Sequence, residues 1–85
     1  MQENEAKTCL TVYHRVGCHL CEEMVALLTE FQEELGFGFV LVDIDADRDL
    51  QARFNADVPV VALKERILFR HFFDEAILRQ ALKHG

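Results

Sequence analysis

Apolar residues along the first half of the chain fall into two continuous runs separated by a helical stripe. The run at Thr8–His14 is rich in β-branched and aromatic residues and carries apolar groups on both alternating faces, which is typical of a central strand. Between residues 21 and 35 the apolar residues recur every three or four positions, which predicts an amphipathic helix that ends at Gly36. The run over residues 39–44 predicts a second strand, parallel to the first because a helix connects them.

The second half of the chain predicts two helices and two strands. Asp47 and Asp74 are suitable N-terminal caps for helices, and the only proline of the chain stands near the start of an apolar run. The predicted elements are a helix from Arg48 to about Phe54, a strand over residues 58–63, an antiparallel strand over residues 67–69 and a helix from Glu75 to about Lys83. The predicted order is therefore β-α-β-α-β-β-α.

Length and charge narrow the class of protein. A chain of 85 residues predicts a single domain over residues 8–85, and the polar residues 1–7, without periodicity, predict a flexible tail. The formal net charge of −6 argues against a nucleic-acid-binding protein, which usually carries a basic face. No apolar run is long enough to span a membrane, and the N-terminus lacks the apolar core of a signal peptide. We therefore expect a cytoplasmic protein without a membrane partner.

The stretch with the clearest chemical content is Gly17-Cys18-His19-Leu20-Cys21, a Cys-x-x-Cys motif between the first strand and the first helix. The free N–H groups of a helix's first turn stabilise a thiolate, so this placement favours redox chemistry. Half of a zinc site has the same spacing, and an inert remnant is a further alternative. Zinc is the weaker hypothesis because adjacent residues such as Cys18 and His19 rarely reach one ion together. We expect Cys21 to point inward and Cys18 to be exposed.

Residues around the motif predict a moderate depression of the Cys18 pKa. Arg15 and a cationic His19 would stabilise the thiolate, whereas the solvent-facing Glu22 and Glu23 of the first turn would oppose it. The third cysteine, Cys9, is expected to be a buried small apolar residue. The aromatic residues that precede the last helix are expected to be mostly core residues, although an exposed Phe72 would contribute to a partner surface: Phe69, Phe72 and Phe73.

With the motif opening the first helix and Val58-Pro59 opening the third strand, the chain resembles the thioredoxin fold in its minimal, glutaredoxin-like form, over about residues 8–83. It is similar above all to small bacterial glutaredoxin-like proteins. The resemblance rests on residues 11–23, residues 42–47 and residues 58–60. It implies an α/β fold with a four-stranded mixed sheet and helices on both faces.

The resemblance also implies roles for single residues. Cys18 matches the nucleophile and Cys21 the resolving thiol. Pro59 matches a proline that is cis in this fold, and the backbone of Val58 would pair with a bound peptide or with glutathione. Arg15 falls where glutaredoxins keep a basic residue for the glutathione carboxylate.

Two departures from the family pattern weaken the expectation that glutathione binds in the glutaredoxin manner. Glutaredoxins usually place a Gly-Gly pair after the fourth strand, where this chain has Phe69-Arg70-His71-Phe72-Phe73. The thioredoxin signature Trp-Cys-Gly-Pro-Cys is also absent, since the chain has no tryptophan.

The sequence therefore predicts a thiol–disulfide oxidoreductase that uses Cys18 and Cys21. The expected partners are a protein or low-molecular-weight disulfide and a reductant, either glutathione or a reductase, and the protein is expected to be a monomer. No resident cofactor and no metal ion are expected, with glutathione as a candidate co-substrate. The alternatives are a module of the same fold that binds a metal or an iron–sulfur cluster, and a redox-silent interaction module.

Overall fold

The structure is a computed structural model that describes residues 8–84, with side chains for residues 8–83. The predicted tail of residues 1–7 lies outside the described residues. Residues 8–84 contain four strands and three helices, together with two 3₁₀ turns at Ile44–Ala46 and Asn55–Asp57. In chain order the elements are β1 (Thr8–His14), α1 (His19–Leu35), β2 (Phe37–Asp43), α2 (Arg48–Phe54), β3 (Val60–Leu63), β4 (Arg66–Arg70) and α3 (Glu75–His84).

The four strands form one mixed sheet in the order β2-β1-β3-β4. β1 pairs with β2 in parallel and with β3 in antiparallel orientation, and β3 pairs with β4 in antiparallel orientation. The predicted central position of β1, the parallel β1–β2 pair and the antiparallel fourth strand are all confirmed. This is the predicted α/β architecture of the minimal thioredoxin fold.

Each face of the sheet has its own buried apolar cluster. The core cluster lies between the sheet and the helices α1 and α3, and it comprises Leu10, Val12, Met24, Leu28, Phe37, Val61, Leu63, Phe69, Leu78 and Ala81. The dithiol cluster lies on the other face under α2, and it comprises Cys21, Ile44, Phe54, Val58 and Val60. Because successive side chains of a strand point to opposite faces, β1 supplies Val12 to the core cluster and Tyr13 to the edge of the dithiol cluster.

Helix ends follow the local chemistry that the sequence indicates. Gly36 adopts the left-handed conformation (φ 69°), and its N–H donates to the Gln32 carbonyl, which ends α1. The Asp47 carboxylate accepts hydrogen bonds from the N–H groups of Asp49 and Leu50, so it caps α2 as predicted.

The bounds of four elements differ from the prediction, among them β4, which covers Arg66–Arg70 instead of residues 67–69. α1 begins at His19 because Cys18, rather than a later residue, is its N-cap. β2 begins at Phe37, since the parallel register with β1 already starts there, and ends at Asp43 instead of Ile44. β3 begins at Val60, after Pro59, because proline has no N–H for the sheet.

The expectation that Cys9 is buried is wrong, since its side chain is exposed. Cys9 lies on the face of the sheet that α2 covers, and this helix has only seven residues. α2 packs at the opposite end of β1, where Phe54 stacks on Tyr13 with ring centroids 4.5 Å apart. Gly38, the β2 residue opposite Cys9, has no side chain that would cover the thiol.

Within residues 8–84, no helix combines the length and the apolar character that crossing a bilayer requires.

Candidate active site

The two motif cysteines meet where the first strand leads into α1. Cys18 and Cys21 form a disulfide, with their Cα atoms 5.2 Å apart. Cys18 is the N-cap of α1, and its Sγ accepts a hydrogen bond from the Cys21 backbone N–H at 3.1 Å. The Cys18 N–H in turn donates to the Arg15 carbonyl at 3.3 Å, which closes the turn before the motif. The Cys18 sulfur therefore lies at the N–H end of a 17-residue helix.

Burial distinguishes the two cysteines. Cys21 is 3% exposed and belongs to the dithiol cluster, as the apolar stripe of α1 predicts. Cys18 is half-buried rather than fully exposed, because it packs against this cluster, which also contains Val58 and Val60. Cys18 is thus the more accessible thiol of the pair, and Cys21 is reached mainly through it.

Pro59 joins the dithiol face to the segment after β4. The Val58–Pro59 bond is cis, as the family resemblance implies, and both residues are buried. The Pro59 carbonyl accepts the His71 N–H at 2.8 Å. The β3 registers begin at Val60, so Val58 lies beyond the paired part of the strand. Its pairing with a bound peptide stays a prediction.

Arg15, predicted to bind a glutathione carboxylate, is engaged by a carboxylate of the chain itself. Its Nε lies 3.2 and 3.0 Å from Asp45 Oδ1 and Oδ2, and its Nη2 donates to Oδ1 at 3.1 Å. Gln51 Nε2 adds a further donor to Oδ1 at 3.2 Å. The Arg15 guanidinium, helped by Gln51, holds the pKa of Asp45 below its ordinary value of 3.8, although partial desolvation opposes the shift.

A second arginine is paired on the proline side of the dithiol. Arg70 Nη1 donates to Asp57 Oδ2 at 2.9 Å, just before Val58 in the chain. Both ion pairs are absent from the sequence-based prediction. For Arg15 and Asp45 a signal exists, since the parallel β1–β2 register ends with His14 opposite Asp43 and so brings the following residues to one edge.

His19 lies at the solvent side of the motif. Its side chain is 94% exposed, and its Nδ1 is 4.0 Å from Glu22 Oε1. Glu22 and Glu23 are exposed, as predicted. The role of His19 in tuning the thiolate stays a prediction.

Two large apolar side chains near the motif and the proline are exposed. Val16, in the turn before Cys18, is 78% exposed, and Phe72 is 68% exposed. The expectation that Phe72 is a core residue is wrong, while Phe69 and Phe73 pack in or against the core cluster. The reason is local, because His71 takes a left-handed conformation (φ 65°) that reverses the chain before Phe72.

In the described part of the chain, no three or more histidine, cysteine, aspartate or glutamate side chains are grouped so that they could hold a metal ion.

Comparisons with known proteins agree with this architecture. Residues 9–83 match the model of the glutaredoxin-like domain family (DUF836). A glutaredoxin-like protein of Dictyostelium discoideum is 32% identical over an alignment 85 positions long, and this alignment covers 84% of this chain and 79% of that protein. An uncharacterised protein of Mycobacterium tuberculosis is 35% identical over 57 residues, 61% of this chain and 59% of its own length.

Solved structures show the same fold. The solution structure of protein Ne2328 from Nitrosomonas europaea superposes with a TM-score of 0.81 at 35% identity, covering 95% of this chain and 98% of that one. The thioredoxin of Fasciola hepatica superposes with a TM-score of 0.55 at 19% identity, covering 95% and 85% of the two chains, and shows the fold alone. Since the family model spans almost the whole chain, this protein belongs to the glutaredoxin-like domain family (DUF836).

Proposed function

We propose that this protein is a thiol–disulfide oxidoreductase in which Cys18 is the nucleophile and Cys21 the resolving thiol. The observation that carries the proposal is the asymmetry of the pair. Cys18 is the half-buried N-cap of α1, whereas Cys21 is 3% exposed directly beneath it. A nucleophile must meet its substrate and a resolving thiol need only meet the nucleophile, so this arrangement suits disulfide exchange.

The N–H group of Cys21 supports the nucleophile. It donates to Cys18 Sγ in the disulfide form, and after reduction it would face the Cys18 thiolate. Hydrogen bonding to the charged form, together with the helix N-terminus, lowers a thiol pKa. Glu22, an acidic residue in the first turn of α1, opposes this effect but is exposed and screened.

The proposed exchange has two steps. The Cys18 thiolate attacks a substrate disulfide, which forms a mixed disulfide and releases the other substrate sulfur as a thiolate that takes up a proton. Cys21 then loses its proton, attacks the Cys18 sulfur and releases the second substrate thiol. Two electrons pass to the substrate, and the Cys18–Cys21 disulfide is left for a reductant.

The substrate would lie along the segment that precedes β3. Val58 adjoins the cis-Pro59 and lies outside the β3 registers, so an extended peptide can add its backbone there. We include in the proposal a protein or low-molecular-weight disulfide as substrate and glutathione or a reductase as electron donor. We further propose that the protein is cytoplasmic and monomeric. In this proposal it has no resident cofactor, no metal ion and no nucleic-acid or membrane partner.

The experiment that tests the function is redox equilibration. The full chain is incubated in graded glutathione buffers, and the free thiols of Cys18 and Cys21 are trapped and quantified. A midpoint within about −270 to −120 mV, reached in minutes, is expected for a catalytic dithiol. A midpoint well below about −300 mV, or a pair that never equilibrates, would indicate a structural or metal-holding dithiol and would overturn the proposal.

Single variants separate the two roles. Cys18→Ser should abolish reduction of a model disulfide, because no other thiol is placed as the N-cap of α1. Cys21→Ser should accumulate the mixed disulfide at Cys18, which mass spectrometry detects. Cys9→Ser is the matched control, since Cys9 is an exposed thiol outside the motif, and full activity is expected. Full activity in Cys18→Ser would exclude the assigned nucleophile.

A further inference from the structure

Two arginines in segments that contact the dithiol region are bound to carboxylates, Arg15, whose carbonyl accepts the Cys18 N–H, and Arg70, whose neighbour His71 bonds to Pro59. Arg15 pairs with Asp45 on the side of α1, and Arg70 pairs with Asp57 on the side of Pro59. Glu22 and Glu23 add exposed negative charge at the start of the helix. A substrate that carries carboxylates of its own therefore meets paired arginines together with the exposed carboxylates of Glu22 and Glu23.

Asp45 is held in place by more than its arginine. Its backbone N–H donates to Asp43 Oδ1 at 2.9 Å, which fixes the turn that follows β2. Gln51 of α2 donates to both its carbonyl and its carboxylate, at 3.4 and 3.2 Å. The carboxylate is thus oriented by its own segment and presented to Arg15 in a bidentate manner, which is the geometry an incoming carboxylate would need.

The pair adjoins the Cys-x-x-Cys motif through the backbone of Arg15. Arg15 immediately precedes the motif turn, and its carbonyl accepts the Cys18 N–H. The side chains of Arg15 and Asp45 are 33% and 41% exposed, so the pair is at the surface and an approaching ligand senses its net charge of zero. Breaking it would leave one uncompensated positive charge beside the motif.

Resting on the proposed function, we propose that Asp45 is a specificity-determining residue that masks Arg15 and so disfavours carboxylate-bearing disulfides, such as oxidised glutathione, relative to uncharged ones. Asp45 touches neither the sulfur atoms nor the substrate. It acts through Arg15, by deciding whether that cation is available to a ligand anion.

The test compares reactions of the same chemistry that differ only in probe charge. Reduced wild-type protein and Asp45→Asn are mixed with oxidised glutathione, which is net negative, and with hydroxyethyl disulfide, which is neutral. The same proteins are alkylated with iodoacetate, an anion, and with neutral iodoacetamide. In alkylation the thiolate displaces iodide and forms a sulfur–carbon bond, so the measurement does not depend on disulfide exchange.

The expected result is a change in the rate ratio between the anionic and the neutral probe. Asp45→Asn should raise this ratio about threefold in both reactions at low salt, and the gain should vanish at high salt. Taking the ratio removes any change in the intrinsic reactivity of Cys18, which affects both probes alike. A purely structural role of Asp45 would not change the ratio.

Two controls identify the origin of the effect. Asp49→Asn removes the same charge from an exposed residue of α2 whose carboxylate is not bound to Arg15, and should leave the ratio near the wild-type value. Asp45→Asn combined with Arg15→Gln should lose the gain, because the unmasked cation is absent.

The outcomes separate the two proposals. An unchanged ratio in Asp45→Asn, or an equal rise in Asp49→Asn, overturns the masking role of Asp45. Failure of the wild-type protein to exchange with either disulfide overturns the proposed function. The alkylation ratio then still shows whether Asp45 masks Arg15, and a ratio that does not respond overturns that as well.

Discussion

The two faces of the sheet differ in thickness and in what they hold. One face is covered by α1 and α3, of 17 and ten residues, over a cluster of ten buried residues without a polar side chain. The other face is covered by α2, of seven residues, over a cluster of five that includes Cys21. The core cluster stabilises the domain, and the dithiol cluster holds the reactive group.

The thin cover explains the accessibility of the chemistry. The seven-residue α2 packs at the Tyr13 end of β1 and leaves Cys9, near the other end of the strand, exposed, while Cys18 at the margin of the dithiol cluster is half-buried. Stability and access therefore come from opposite faces of one sheet. If this division is correct, substitutions on the two faces should affect different measurements.

The largest effect is expected from Leu28→Ala in the core cluster. Leu28 is fully buried, and loss of its side chain leaves a cavity that should lower the free energy of unfolding by about 2–5 kcal/mol. Urea unfolding measures this loss, and the alkylation rate of Cys18 in the folded, reduced protein should stay at the wild-type value. Ile77→Ala, at a 40% exposed site on α3, should cost less than about 0.5 kcal/mol. An altered thiol reactivity in Leu28→Ala would contradict the division.

The next largest effect is expected when the N-terminal caps of α2 and α3, which lie on opposite faces of the sheet, are removed one at a time. Asp47→Ala removes the cap of α2 and Asp74→Ala removes the Asp74–Ile77 hydrogen bond that caps α3, each at a cost of about 1 kcal/mol. Only Asp47→Ala should speed alkylation of Cys18 and Cys21 in the reduced protein, because α2 supplies Phe54 to the dithiol cluster and α3 supplies no residue to it. Equal acceleration in both variants would show that the faces are not independent.

The sequence predicts the face of the sheet that α1 and α3 cover better than the face that α2 covers. Periodicity places residues such as Met24 and Leu28 in the core, since a helix stripe and an apolar strand depend only on local spacing. The order of elements, the capping residues Asp47 and Asp74 and the cis-Pro59 also follow from local chemistry or from family resemblance. The dithiol, being one turn of one helix, is equally local.

What the sequence does not predict depends on how distant segments meet. The Arg15–Asp45 pair joins residues 30 positions apart, and its formation needs the β1–β2 register. The exposure of Cys9 depends on how far α2 extends over the sheet. Phe72 is exposed where it follows His71, whose left-handed conformation is one that a residue with a side chain rarely takes.

A smaller effect is expected from Phe72→Ser, which tests whether the exposed Phe72 side chain contacts substrates. Phe72 is 68% exposed and follows His71, whose N–H bonds to the Pro59 carbonyl, so we expect its ring to contact an apolar residue beside the substrate cysteine. The exchange rate with a leucine-flanked peptide disulfide should fall about fivefold, and the rate with hydroxyethyl disulfide should not change. Ile77→Ser is the control, and an equal loss in that variant would refute a specific role of Phe72.

The smallest effect concerns the Arg15–Asp45 pair and the thermal stability of the protein at acid pH. The pKa of Asp45 is lowered in the folded protein by Arg15, so the folded state binds fewer protons than the unfolded state as the pH falls past the ordinary value of 3.8. The pair therefore stabilises the fold above that pH, and the contribution is lost as the pH drops through the lowered folded value. Thermal unfolding between neutral and acid pH should show a shallower decline for Asp45→Asn than for the wild-type protein. Asp49→Asn should decline as the wild type does, and a shallower curve for that variant instead would show that net charge, not the Arg15 pair, sets the acid stability.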